Sequence, residues 1–190
     1  MLQRSPNDIE NHLAVVERIK TDLLGYSPKA LILFGSTARY VNGLDTDTLP
    51  GDIDLLMVGG SLPPIGVESK AYECELEIHR LRELQIVEIA KSLRYDMKAL
   101  ALSKLYSKVV AKSHAIDVIA ACLLLGPQYR AFGIEQIEIN GRLDQRDYSI
   151  QKVMHGHEWW RQLCEYARER RGPFKRLSDK LVLRDTFQPE

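Results

Sequence analysis

Hydrophobic and polar positions along the chain change period from stretch to stretch. Ile9, Leu13, Val16, Ile19 and Leu23 recur at helical spacing. Ser5-Pro6-Asn7-Asp8 ahead of them is a helix start, with Ser as cap, Pro in the first turn and an acid three residues after the Ser, and Gly25 is the stop. Leu31-Ile32-Leu33-Phe34 is an apolar run with β-branched and aromatic members, entered after Pro28 and left at Gly35, which predicts a short buried strand. Gly35-Ser36 then predicts a tight strand-to-helix turn. From Gly51 to Val58, acid and apolar residues alternate before the run turns wholly apolar. That pattern predicts a second strand with Asp52 and Asp54 on one face and Ile53 on the other.

Further along, Pro63-Pro64 and the paired glycines of Gly59–Gly66 predict a loop. A helical pattern runs from about Tyr72 to about Leu105, with Ile86, Ala90, Leu93, Met97 and Leu100 on one face. His114–Ala121 is an apolar run with Asp117 in its middle, and it reads as a strand with Ile116 and Val118 on the face opposite the acid. Gly126-Pro127-Gln128-Tyr129 reads as a turn, and Ile134, Ile137 and Ile139 before Asn140-Gly141 as a short strand ending in a tight turn. Tyr148 to about Arg170 reads as helix. The expected architecture is α/β (α+β): a domain over residues 1–145 with a small mixed sheet flanked by helices, and a helical C-terminal extension, 146–190, packed on it.

Composition narrows the class. A chain of 190 residues can bury a proper core, and its 27% charged and 45% hydrophobic residues are those of a globular domain. Lys plus Arg, 26, balances Asp plus Glu, 26, which excludes polyanion binding by bulk charge. Cys74, Cys122 and Cys164 are odd in number and widely spaced, against a disulfide framework or a zinc site. With no signal-type segment and no run long enough to span a bilayer, the expectation is a soluble, cytoplasmic protein with no membrane association.

The chemistry concentrates between Leu31 and Val58. A Gly-Ser turn at a helix start offers backbone N–H groups and a hydroxyl to a phosphate. Two carboxylates about 7 Å apart on one strand face can share hard divalent cations. Leu33-Phe34-Gly35-Ser36-Thr37-Ala38-Arg39 followed by Asp52-Ile53-Asp54-Leu55 resembles the signature of the nucleotidyltransferase superfamily with the DNA polymerase β-like fold, most of all its minimal nucleotidyltransferases. The chain departs from that pattern in a longer gap between Ser36 and Asp52 and in Gly51 where the family often has Ser. Asp45 and Asp47, a second Asp-x-Asp, are flanked by Thr and Pro and read as loop.

The resemblance implies Mg2+ held by Asp52, Asp54 and a third carboxylate on an adjacent strand, the position it assigns to Asp117. It implies NTP binding at Gly35 and Ser36, with Arg39, one helical turn on, either neutralising the triphosphate or pairing with a neighbouring acid. The implied reaction moves an NMP from an NTP to a hydroxyl, on a small molecule, a tRNA or a protein, and releases pyrophosphate. Two other implied roles are an antitoxin-like member that binds or modifies a partner toxin protein, and a nucleotide-binding member without turnover.

Three other features have plainer uses. Lys91, Arg94, Lys98, Lys104, Lys108 and Lys112 could steer a polyanion but read as a solvated helix face. Arg161, Arg168, Arg170, Arg171, Lys175 and Arg176 lie near Trp159, Trp160 and Tyr166 without a nucleic-acid motif, so packing of the tryptophans on the domain or on a partner is the expectation. His155-Gly156-His157-Glu158 lacks the spacing of a zinc site.

Overall fold

The computed structural model of the chain describes residues 6–44, 50–61, 75–95, 112–128, 137–139, 142–144 and 148–169. These form an α+β arrangement of α1 (Pro6–Leu24), β1 (Ala30–Phe34), α2 (Gly35–Val41), β2 (Asp52–Val58), β3 (Glu75–Leu81), α3 (Glu83–Tyr95), α4 (Lys112–Leu125), β4 (Ile137–Ile139), β5 (Arg142–Asp144), β6 (Lys152–His155) and α5 (His157–Arg168). They divide into two compact units, Met1–Leu81 with Arg146–Trp160 and Arg82–Gln145 with Arg161–Glu190.

The first unit holds a four-stranded mixed sheet in the order β3-β2-β1-β6. β1 runs antiparallel to both β2 and β6, while β2 and β3 are parallel. A central strand covered on both faces must be apolar throughout, and every residue of β1 is buried. On one face Val16, Ile19 and Leu23 of α1 pack against Leu31, Leu33, Ile53, Leu55 and Met57 of the sheet. Each such side chain stabilises the fold by about 1.5–3 kcal/mol relative to exposure. The odd residues of β2 therefore point at α1, and Asp52 and Asp54 are left for the opposite face.

Three segments depart from the reading of the sequence. Glu75–Leu81, taken as helix, is strand β3. Its polar–apolar alternation, Glu75-Leu76-Glu77-Ile78-His79, has the period of a strand; the helical spacing belongs to α3, which starts at Glu83. His114–Ala121, taken as strand, lies in helix α4, where Val118 to Leu125 are all buried. A helix apolar on every side carries no 3.6-residue stripe, so its sequence looks like a buried strand. Lys152–His155, taken as helix, is strand β6 at the edge of the sheet beside β1. Helix α5 starts only after Gly156, whose φ is +72° and where any Cβ would run into the Lys29 carbonyl.

In the second unit α3 packs on α4, and Gly126, at φ +55°, ends α4 with its N–H donated to the Cys122 carbonyl. Arg168 Nε donates to the Leu124 carbonyl at 2.8 Å, satisfying one of the last acceptors of α4. β4 and β5 pair antiparallel; Asn140-Gly141 between them lies outside the described residues.

Trp160 is buried and donates Nε1 to Gln151 Oε1 at 2.9 Å, so this tryptophan packs within the first unit. Of the basic stretches, Lys91 pairs with Glu88 and Arg161 with Glu165 on exposed helix faces; Lys98, Lys104, Lys108 and Arg170 onward lie outside the described residues. Cys122 and Cys164 are buried and form no disulfide, and Cys74 lies outside the described residues. Burial pushes the Cys164 thiol up to about 12, against the pull of Arg168, so it is protonated and inert at neutral pH. No described helix is long and apolar enough to cross a membrane.

Candidate active site

The site grows from the end of β1. Phe34 is still in extended backbone, and Gly35, at φ +71°, turns the chain directly into α2. Register then sets Phe34 opposite Asp54 on β2, and Asp54 opposite Glu77 on β3. Gly35 is there because of Asp54: a Cβ built on it would stand 2.5 Å from Asp54 Oδ2. Glycine alone allows both the left-handed φ and this approach of a carboxylate to the main chain.

The turn is tied to β2 by two hydroxyls with different work. Thr37, fully buried, donates Oγ1 to the Asp52 carbonyl at 2.6 Å and pins α2 to the strand. Ser36, exposed, donates Oγ to Asp52 Oδ1 at 3.0 Å and orients the carboxylate itself. Asp52 is half-buried, whereas Asp54 is only 1% exposed. Arg39 lies in the last turn of α2, half-buried.

A carboxylate this deeply buried is costly unless opposite charge or metal attends it. Two groups on β3 face it. His79 Nε2 lies 3.9 Å from Asp54 Oδ1 and 3.5 Å from Glu77 Oε1. The three residues can each present one ligand atom with all three atoms within 4.8 Å of one another. The His79 ring also packs against Phe34, centroids 5.4 Å apart, and Phe34 against buried Tyr148 at 5.9 Å. These aromatic neighbours restrict the imidazole.

The structure thus brings together four of the six residues singled out from the sequence, Gly35, Ser36, Asp52 and Asp54, and sets Arg39 on the helix that leaves the turn. Asp117 differs: it stands on helix α4 in the other compact unit, not on a strand of this sheet. The strand next to the Asp-x-Asp strand is β3, and its acid opposite Asp54 is Glu77. Glu77 and His79 escaped the sequence reading because β3 was taken into the helix that follows it. Their signal was the alternation of Glu75, Glu77 and His79 with Leu76 and Ile78. The site Asp54, Glu77 and His79 suits a divalent cation by its donors; His155-Gly156-His157-Glu158 forms no such group among the described residues.

No protein-family model, curated protein or solved structure matches the chain.

Proposed function

We propose that the chain is a nucleotidyltransferase dependent on a divalent cation, magnesium in the first instance, that moves an NMP from an NTP to a hydroxyl and releases pyrophosphate. The observation that carries this reading is the approach of Asp54 Oδ2 to the place where a Gly35 side chain would be. It sets the acids of Asp-x-Asp against the Gly-Ser turn, so one small region offers both phosphate donors and cation ligands.

In this reading Asp52 and Asp54 hold the cation that accompanies the triphosphate. When bound there, magnesium offsets the charge on the phosphate oxygens and makes an acceptor hydroxyl easier to deprotonate. The exposed Ser36 hydroxyl, which donates to Asp52 Oδ1, stands in the same turn and would donate to a phosphate oxygen. The acceptor oxygen attacks the α-phosphorus, the bond from that phosphorus to the bridging oxygen breaks, and pyrophosphate leaves. Glu77, with its side chain 60% exposed on the strand next to β2, takes in this reading the place the resemblance gave to Asp117, that of a third carboxylate toward the cation.

The test is calorimetric titration of each NTP with Mg2+ into the full chain and into a double variant, Asp52→Asn with Asp54→Asn. The expected result is binding of at least one NTP in the micromolar-to-millimolar range, about tenfold or more weaker in the variant. Equal binding by both proteins, or by neither, overturns the proposal.

A further inference from the structure

Asp54, Glu77 and His79 differ in chemistry from the Asp52–Asp54 pair, because one donor is nitrogen. Asp54 presents Oδ2 toward Gly35 and Oδ1 toward His79, so its two oxygens serve two places. His79 Nε2 is a buried atom that makes no hydrogen bond among the described residues, though two carboxylate oxygens lie 3.5 and 3.9 Å away. A structural imidazole between two acids would be expected to settle into a hydrogen bond with one of them. Here the nitrogen points into the gap and bonds to neither.

We infer that Asp54, Glu77 and His79 form one cation site that prefers a first-row transition dication, Mn2+ or Zn2+, to Mg2+. Magnesium demands oxygen donors in a near-ideal octahedron, whereas manganese and zinc accept imidazole nitrogen with carboxylate oxygen. With metal–ligand bonds of about 2.1 Å, donors sit roughly 3.0 Å apart in an octahedron and roughly 3.4 Å apart in a tetrahedron. The separations at His79, 3.5 and 3.9 Å, and the 4.8 Å within which all three donors lie are wider than either, and rotation of the exposed Glu77 side chain is what closes them on a cation. All three residues stand on paired strands, with Asp54 opposite Glu77 and His79 two residues on, so the backbone presents the set without rearrangement. Three protein ligands leave the remaining positions for water or for a ligand oxygen.

The use of this cation in nucleotidyl transfer rests on the function proposed above; its binding does not. Binding is therefore measured without nucleotide. Metal-stripped full chain is titrated with Mn2+, Zn2+ and Mg2+, and the Mn2+-loaded protein is examined by pulsed electron paramagnetic resonance for coupling to 14N. The expected result is one equivalent of Mn2+ bound about tenfold or more tighter than Mg2+, with nitrogen coupling that disappears in His79→Leu along with the preference. Equal affinity for Mn2+ and Mg2+, no binding, or bound Mn2+ without nitrogen coupling each overturns the inference. If His79→Leu fails to fold, the nitrogen signal of the unaltered protein decides alone. Nitrogen-coupled Mn2+ in a chain that binds no NTP would keep the cation site and sink the transferase reading; NTP binding without nitrogen coupling would do the reverse.

Discussion

At Gly35 two constraints meet, a left-handed φ and a carboxylate oxygen where a side chain would go. Gly35→Ala must therefore strain the turn and push Asp54 aside. The expected cost is about 1–3 kcal/mol of stability, read as a lower urea midpoint at unchanged slope, together with weakened NTP binding. An unchanged midpoint would show that the turn takes up a side chain without strain. The neighbouring hydroxyls divide in the same way: Thr37 is buried and bonds backbone, and Ser36 is exposed and bonds the Asp52 carboxylate. At this scale the sequence was informative, because a turn, a strand and an acid–apolar alternation are constraints between residues close in the chain. Gly35, Ser36, Asp52 and Asp54 were legible for that reason.

At the scale of elements, the third carboxylate shows what local patterns leave open. Asp117 in an apolar run and Glu77 in an alternating one are both plausible partners for Asp52 and Asp54 on paper. The run around Asp117 is helix α4, and the alternating one is strand β3, parallel to β2 along its whole length. Glu77→Gln should therefore lower nucleotidyl transfer by on the order of a hundredfold or more, while Asp117→Asn should stay within about threefold of the unaltered chain. Comparable losses in both variants would return the role to Asp117. Apolar runs of eight residues suit a buried strand and a buried helix equally, and only what packs around them decides.

For the whole molecule, the decisive segment is Lys152–His155. Its reading as part of a helical extension places the end of the domain at residue 145, yet as β6 it hydrogen-bonds to β1, and Tyr148, Met154 and Trp160 are buried in the same compact unit. A chain ending at residue 145 loses that strand and opens the edge of β1, every residue of which is apolar. Such a fragment is expected to show no cooperative unfolding transition by circular dichroism and to aggregate, whereas the full chain unfolds cooperatively. A fragment that melts cooperatively would mean that β6 is dispensable. Both compact units are built from two separated pieces of chain, so each depends on contacts far apart in sequence.

By itself the sequence determined the first helix, the strand that ends at Phe34, the glycine turn and the face on which Asp52 and Asp54 stand. It also determined the mixed α and β character of the chain. These follow from hydrophobic period, chain stiffness and the conformations open to Gly and Pro, which act over a few residues. Tertiary structure alone decided that β3 lies beside β2, that Glu77 and His79 face Asp54, that α4 is a helix and that β6 closes the sheet next to β1. Those outcomes depend on which distant segments bury one another, and strand pairing brings together residues whose separation along the chain carries no local mark.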